Sequence, residues 1–131
     1  MKKLEKYINE LEEDTKLNEL NLHDKQLMLP GIKHKWVARL ILHKVEIKKL
    51  RALLDKARDT IVQKKLKDQT VAMSRVSIEK MVDKHDVIVK IKSKIEDEKL
   101  MVLYLEKVET ILRSMTYDIK NLTDIMKLES L

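Results

Sequence analysis

The chain has 131 residues, enough for one domain, with 44% hydrophobic and 38% charged residues, only 3% aromatic ones and no Phe. This balance excludes a large aromatic core and a disordered polyelectrolyte alike; it fits long helices that bury one stripe and hydrate the rest. With no Cys, one Gly and one Pro, disulfides, thiolate metal sites, cysteine nucleophiles and the glycine-rich phosphate loops of Walker and Rossmann sites are excluded as well.

The net charge of +6 is unevenly placed: residues 1–32 carry −2, residues 33–67 carry +9 and residues 68–131 carry −1. The whole excess therefore lies in one 35-residue segment, a local field of the kind that attracts polyanions. Three parts of one domain are expected: an acidic N-terminal helix and arm over 1–31, a basic long helix and linker over 32–76, and C-terminal helices over 77–131.

In chain order, residues 2–16 read as a short helix with Leu4, Ile8 and Leu11 on one face. Its charged residues recur too closely for a secretory signal, and no apolar run in the chain approaches the ~20 residues of a membrane span. A soluble, cytoplasmic protein is expected, without membrane contact. Residues 17–29 show no clean period, and Asn18, Asn21 and Asp24 favour turns, which predicts an extended arm. "LPGIKHKW", residues 29–36, holds the only Pro, the only Gly and the only Trp. Pro lacks a helical donor and Gly is flexible, so Pro30-Gly31 is expected to end the arm and open the basic helix.

From there Trp36, Leu40, His43, Ile47, Leu50, Leu54, Ala57 and Ile61 alternate at spacings of four and three, a heptad seam. Beside it Lys44, Arg51, Arg58 and Lys65 recur every seven residues, giving a ladder with rungs ~10.5 Å apart on a helix. Lys48, Lys49 and Lys56 widen the ladder, Lys64 and Lys67 extend it, and Lys33, His34, Lys35 and Arg39 stand at its entrance. These thirteen are the candidate nucleic-acid-binding residues. The opposite flank, Arg39, Glu46, Leu53 and Thr60, supplies one acid, so parallel pairing of copies leaves most of the ladder unmatched and favours an external anion.

Residues 68–77 lose the period and read as a linker. Ser77 precedes a short helical turn, with Asp83 or Asp86 as a cap for the next element. A second long helix is expected over about 84–114, with the stripe Ile91, Ile95, Val102, Leu105, Val108, Leu112 and Met115 interrupted by Glu98. A final segment from Thr116 continues the stripe through Ile119, Leu122 and Met126. Such helices have little core of their own, so an all-α chain that assembles with copies of itself is expected. Leu105, Val108, Leu112, Met115, Ile119, Leu122 and Met126 are the candidate oligomerisation residues. A compact monomeric bundle is the competing expectation.

Chemistry is sparse. His23, His34, His43 and His85 are too dispersed for a metal motif, and His43 on the seam reads as a packed, hydrogen-bonded residue. Glu12-Glu13-Asp14 and Glu96-Asp97-Glu98 are consecutive, so on a helix they diverge and are not paired catalytic acids. No catalytic residue, metal or cofactor is expected, and the chain is not expected to be an enzyme. Single-strand stacking platforms need several exposed aromatics, whereas Trp36 is the one aromatic in the basic segment. It either stacks on a base or anchors the helix start. Binding is expected to the phosphate backbone, with strong salt dependence. A scaffolding coiled coil whose basic face binds an acidic protein is the alternative, and a protein coating duplex DNA a third.

The order "LNLHDKQLMLPGIKHKWVARL", "LLDKARD", "YLEKVETILRSMTYDIKNLTDIMKLE" resembles the UvsY recombination mediator family of tailed phages, over roughly residues 11 to 129. The resemblance implies a closed, heptameric ring formed through helices near the C-terminus, which wraps single-stranded DNA. It implies two protein partners, a single-strand-binding protein already on the strand and a RecA-like recombinase whose loading is promoted, in the host cytoplasm. It also implies that Lys56-Ala57-Arg58 contacts single-stranded DNA. The family can carry aromatic residues just after that element; Asp59, Thr60 and Ile61 stand there here, which speaks against stacking by this segment and leaves its electrostatic role intact.

Overall fold

The computed structural model describes residues 1–68 and 74–131. Among them the chain is all-α: α1 (Lys2–Thr15), α2 (Leu22–Asp68), α3 (Arg75–Asp83) and α4 (Asp86–Glu129). Two compact units form, one from Met1–Leu42 with Met101–Leu131, the other from His43–Leu100.

The first unit is built on Trp36. Its side chain is 2% exposed and lies in one buried cluster with Tyr7 and Leu11 of α1, Leu29, Ile32 and Leu40 of α2, and a row of α4 residues from Met101 through Leu105, Val108, Leu112 and Met115 to Ile119. The seam of α2 and the stripe of α4 were both legible; here they close on each other within one chain.

Between α1 and α2, Asn18 and Asn21 do form a turn. The Asn21 backbone N–H donates to Asn18 Oδ1 (3.0 Å) and the Asn18 N–H to Asn21 Oδ1 (2.8 Å), a reciprocal arrangement like a capping box. The expected extended arm ends there. α2 starts at Leu22 and runs through Pro30 and Gly31, so the Pro-Gly pair is not its boundary. An interior Pro disfavours a helix by ~3 kcal/mol. Burying one large aliphatic side chain contributes roughly 1.5–3 kcal/mol, and Leu22, Leu29 and Ile32 are all buried around the proline. That burial outweighs the lost hydrogen bond, and Pro30 itself faces solvent. Leu20, Leu27 and Met28 also face solvent, at 95%, 69% and 54% exposure; these outward apolar residues hid the inward period of Leu22 and Leu29.

In the second unit Leu50 packs with Ile91 and Ile95, and Val62 with Ile78, Val82 and Ile88, while Leu54 and Ala57 touch both clusters. The helical turn expected after Ser77 is longer: Ser74 caps α3, its Oγ accepting the Ser77 backbone N–H at 3.2 Å. Residues 69–73 of the expected linker lie outside the described residues. Neither expected Asp caps α4. His85 does, its Nδ1 accepting the Val87 N–H at 3.2 Å, while Asp83 turns to cations and Asp86 is the first helical residue. α4 continues unbroken past Thr116 to Glu129, because Met115 and Ile119 remain buried across that point.

The two polar residues on the apolar stripes meet in this unit. His43, 5% exposed, places Nδ1 2.5 Å from Glu98 Oε2. Glu98 thus interrupts its stripe where a buried imidazole needs a partner.

Candidate nucleic-acid interface

The basic residues fall into two populations. In the first unit the acidic leader engages the entrance. Glu10 accepts hydrogen bonds from both terminal nitrogens of Arg39 and from Lys35 Nζ at 3.2 Å. Asp14 Oδ2 accepts from Lys35 Nζ at 2.6 Å and from the Trp36 indole N–H at 2.8 Å. The Arg39 guanidinium lies 4.7 Å from the ring centroids of both Tyr7 and Trp36, which meet edge to face at 5.5 Å. Hydrogen bonding from Arg39 holds the Glu10 carboxyl below its ordinary range against the opposing effect of burial, with Lys35 helping. Lys33 Nζ donates to Thr116 Oγ1 at 2.9 Å, and His34 is exposed.

This settles the two readings of Trp36: it is a core anchor, with its one polar atom bonded to Asp14. Lys35 and Arg39 are bonded in the same network.

In the second unit the cations face outward. Lys48, Lys49, Arg51, Lys56, Lys64, Lys65 and Lys67 are exposed and form no ion pair among the described residues. Lys44 is exposed too. Because α2 is continuous here, Lys44, Arg51, Arg58 and Lys65 share one row that drifts by only ~20° per heptad. Arg58 is engaged: its Nη2 donates to Asp83 Oδ1 at 2.6 Å, and Lys92 Nζ lies 3.4 Å from the same oxygen. The seven exposed cations that form no ion pair among the described residues lie along one helix, where they can hold a phosphodiester chain by charge, without reading bases.

Of the candidate oligomerisation residues, Leu105, Val108, Leu112, Met115 and Ile119 are 4% exposed or less and belong to the first unit's own core. Met126 packs partly against that core and Leu122 is 37% exposed. Exposed apolar surface on this part of α4 also includes Leu103, Ile111, Ile125 and Leu128, each 45–70% exposed. Sequence reasoning missed Glu10, Asp14 and Asp83 as partners of the basic residues, and Lys92 as a second cation on Asp83, since segment charge counts do not say which acid folds onto which base.

Among the described residues no group of three or more His, Asp or Glu is placed to hold a metal ion, and no helix is long and apolar enough to cross a membrane.

No protein-family model matches the sequence, and no curated protein sequence does. Solved structures do match. The chain resembles the bacteriophage T4 recombination mediator protein UvsY in two crystal forms. In one the TM-score is 0.80 at 14% identity, covering 96% of this chain and 98% of the other; in the second it is 0.78 at 15% identity, covering 98% of each. The chain therefore has the UvsY fold over nearly its entire length.

Proposed function

We propose that this chain is a recombination mediator of the UvsY kind. It binds single-stranded DNA by the phosphate backbone and promotes loading of a RecA-like recombinase onto strands covered by single-strand-binding protein. The observation that carries the reading is the shared fold, at a TM-score of 0.80 over 96% of this chain and 98% of a protein named as a recombination mediator. The row of exposed cations on α2 supports it by supplying the charge that such binding needs. The chain acts without catalysis or cofactor, as a homo-oligomeric ring of seven copies. The exposed Leu103, Ile111, Ile125 and Leu128 supply apolar surface for that association.

The test is fluorescence anisotropy with labelled single-stranded and duplex oligonucleotides at rising salt, followed by strand exchange with a RecA-like recombinase and a single-strand-binding protein. Tighter binding to single strands, a steep loss with salt and a shortened lag in strand exchange are expected. Preference for duplex would favour a coating protein. Absence of binding in dilute buffer would favour a scaffold for an acidic protein.

A further inference from the structure

Asp83 is the last residue of α3, where the helix dipole disfavours a negative charge. Its Oδ1 nevertheless gathers Arg58 of α2 at 2.6 Å and Lys92 of α4 at 3.4 Å, with the three side chains 37–43% exposed. One carboxylate oxygen holding a guanidinium and an ammonium reproduces what a non-bridging phosphate oxygen would receive there. Arg58 also lines a cleft of about 330 Å3 with Asp55, Asp59, Val62, Arg75 and Glu79, but three carboxylates make that cleft a poor receptor for an anion. The point occupied by Asp83 is where two cations converge on an accessible site.

We infer that Arg58 and Lys92 form one phosphate-binding site for a polynucleotide backbone, with Asp83 as the internal counter-anion that a phosphodiester displaces. Lys92 thereby joins the interface from a segment whose net charge, −1 over residues 68–131, gives no hint of it. Asp83 keeps the two cations converged in the free protein. Because it is half exposed and sits at the unfavourable end of a helix, it is a weak competitor that yields to a polyanion. This rests on the proposed binding of single-stranded DNA.

The experiment uses the full chain and a fluorescent oligothymidylate. Asp83→Asn is compared with Asp97→Asn, which removes the same charge from an exposed residue with no ion pair among the described residues. Asp83→Asn is expected to bind about 2–5-fold more tightly than Asp97→Asn, the range of one half-exposed ion pair. That gain is expected to vanish in an Arg58→Ala/Lys92→Ala background. Independently, Lys92→Gln is expected to weaken binding more than Lys94→Gln and to lower the salt slope by about 0.7 per engaged chain; this arm stands if Asp83→Asn does not fold. Equal affinities of the two acid variants, or of the two lysine variants, overturn the site while leaving the proposed function intact. A wild-type chain that ignores the oligonucleotide in dilute buffer overturns both.

Discussion

Replacing Lys56 and Arg58 together by Ala tests the electrostatic reading most directly. Lys56 is exposed and without an ion pair among the described residues; Arg58 is 37% exposed and bonded to Asp83. For single strands, log K falls with log salt at about 0.7 per phosphate neutralised. Two lost contacts should therefore flatten the slope by about 1.4 per engaged chain. If this contribution vanishes near 1 M salt, affinity should drop by roughly tenfold at 0.15 M and by more than fiftyfold at 0.05 M. Stability should hardly move, since a half-exposed ion pair contributes ~0.2–1 kcal/mol, and Lys92 remains beside Asp83. Anisotropy titrations at four salt concentrations, with thermal melts by circular dichroism as the control, measure both quantities. An unchanged slope with reduced affinity would refute the reasoning, because it would mean that the two side chains act through shape or base contact.

The buried pair in the second unit gives a second prediction. Glu98→Ala should destabilise by about 1–3 kcal/mol in urea melts, because it removes the carboxylate bonded to the buried His43 ring; His43→Leu/Glu98→Leu should recover most of that loss. A third concerns acid. The Glu10 carboxyl titrates below its ordinary value when folded, so its stabilising effect is complete above the unfolded pKa of about 4.3 and is lost as pH falls through the lower folded pKa. Wild type should exceed Glu10→Gln in stability at pH 6, and the two should converge in strong acid. Fourth, Ile125→Glu with Leu128→Glu should reduce the particle mass in light scattering while helicity persists, whereas Val108→Glu, at a position 0% exposed, should unfold the chain. Fifth, Trp36 emission should resist iodide quenching and remain unchanged when an oligonucleotide binds, since the indole lies in the core.

The seam from Trp36 to Ile61 was legible because, His43 apart, every third or fourth residue is apolar, and the structure buries that face from Trp36 to Leu50 and half-buries it at Leu54, Ala57 and Ile61. α1 and most of the inward stripe of α4 were legible for the same reason, but Tyr7 is buried on α1 where Ile8 was expected, Ile8 being 37% exposed, and on α4 Met101 is buried while Leu122 is 37% exposed. Pro30 misled because local propensity was weighed against nothing; the burial that overrides it comes from α4 residues about eighty positions away, such as Leu112 and Met115. His85 as a cap was invisible because histidine is not a preferred capping residue, and the shift from Ser77 to Ser74 is a choice between two serines in one turn. In the candidate interface, the exposed lysines of α2 could be read from their seven-residue recurrence. Their compensation could not, because it depends on contacts such as Arg39 with Glu10, far apart in sequence.

That difference changes what the charge count means. Residues 33–67 carry twelve Lys and Arg, but a cation already paired inside the chain gains less by engaging a phosphate than a hydrated one, because its own partner must be displaced first. Lys35 and Arg39 are tied to Glu10 and Asp14 in a network that also anchors Trp36, so freeing them would disturb the first unit's core. Arg58 and Lys92 are held by a single half-exposed carboxylate, so freeing them disturbs little. The seven exposed cations on α2, Lys48 to Lys67, that form no ion pair among the described residues need no such release. The salt slope should therefore follow the second unit's cations, at about 0.7 for each phosphate they neutralise. Alanine at Lys35 or Arg39 should act through folding, and alanine at Lys56 or Lys65 through the slope. A slope that drops as much for Lys35→Ala as for Lys65→Ala, at equal stability, would show that the leader opens when DNA binds.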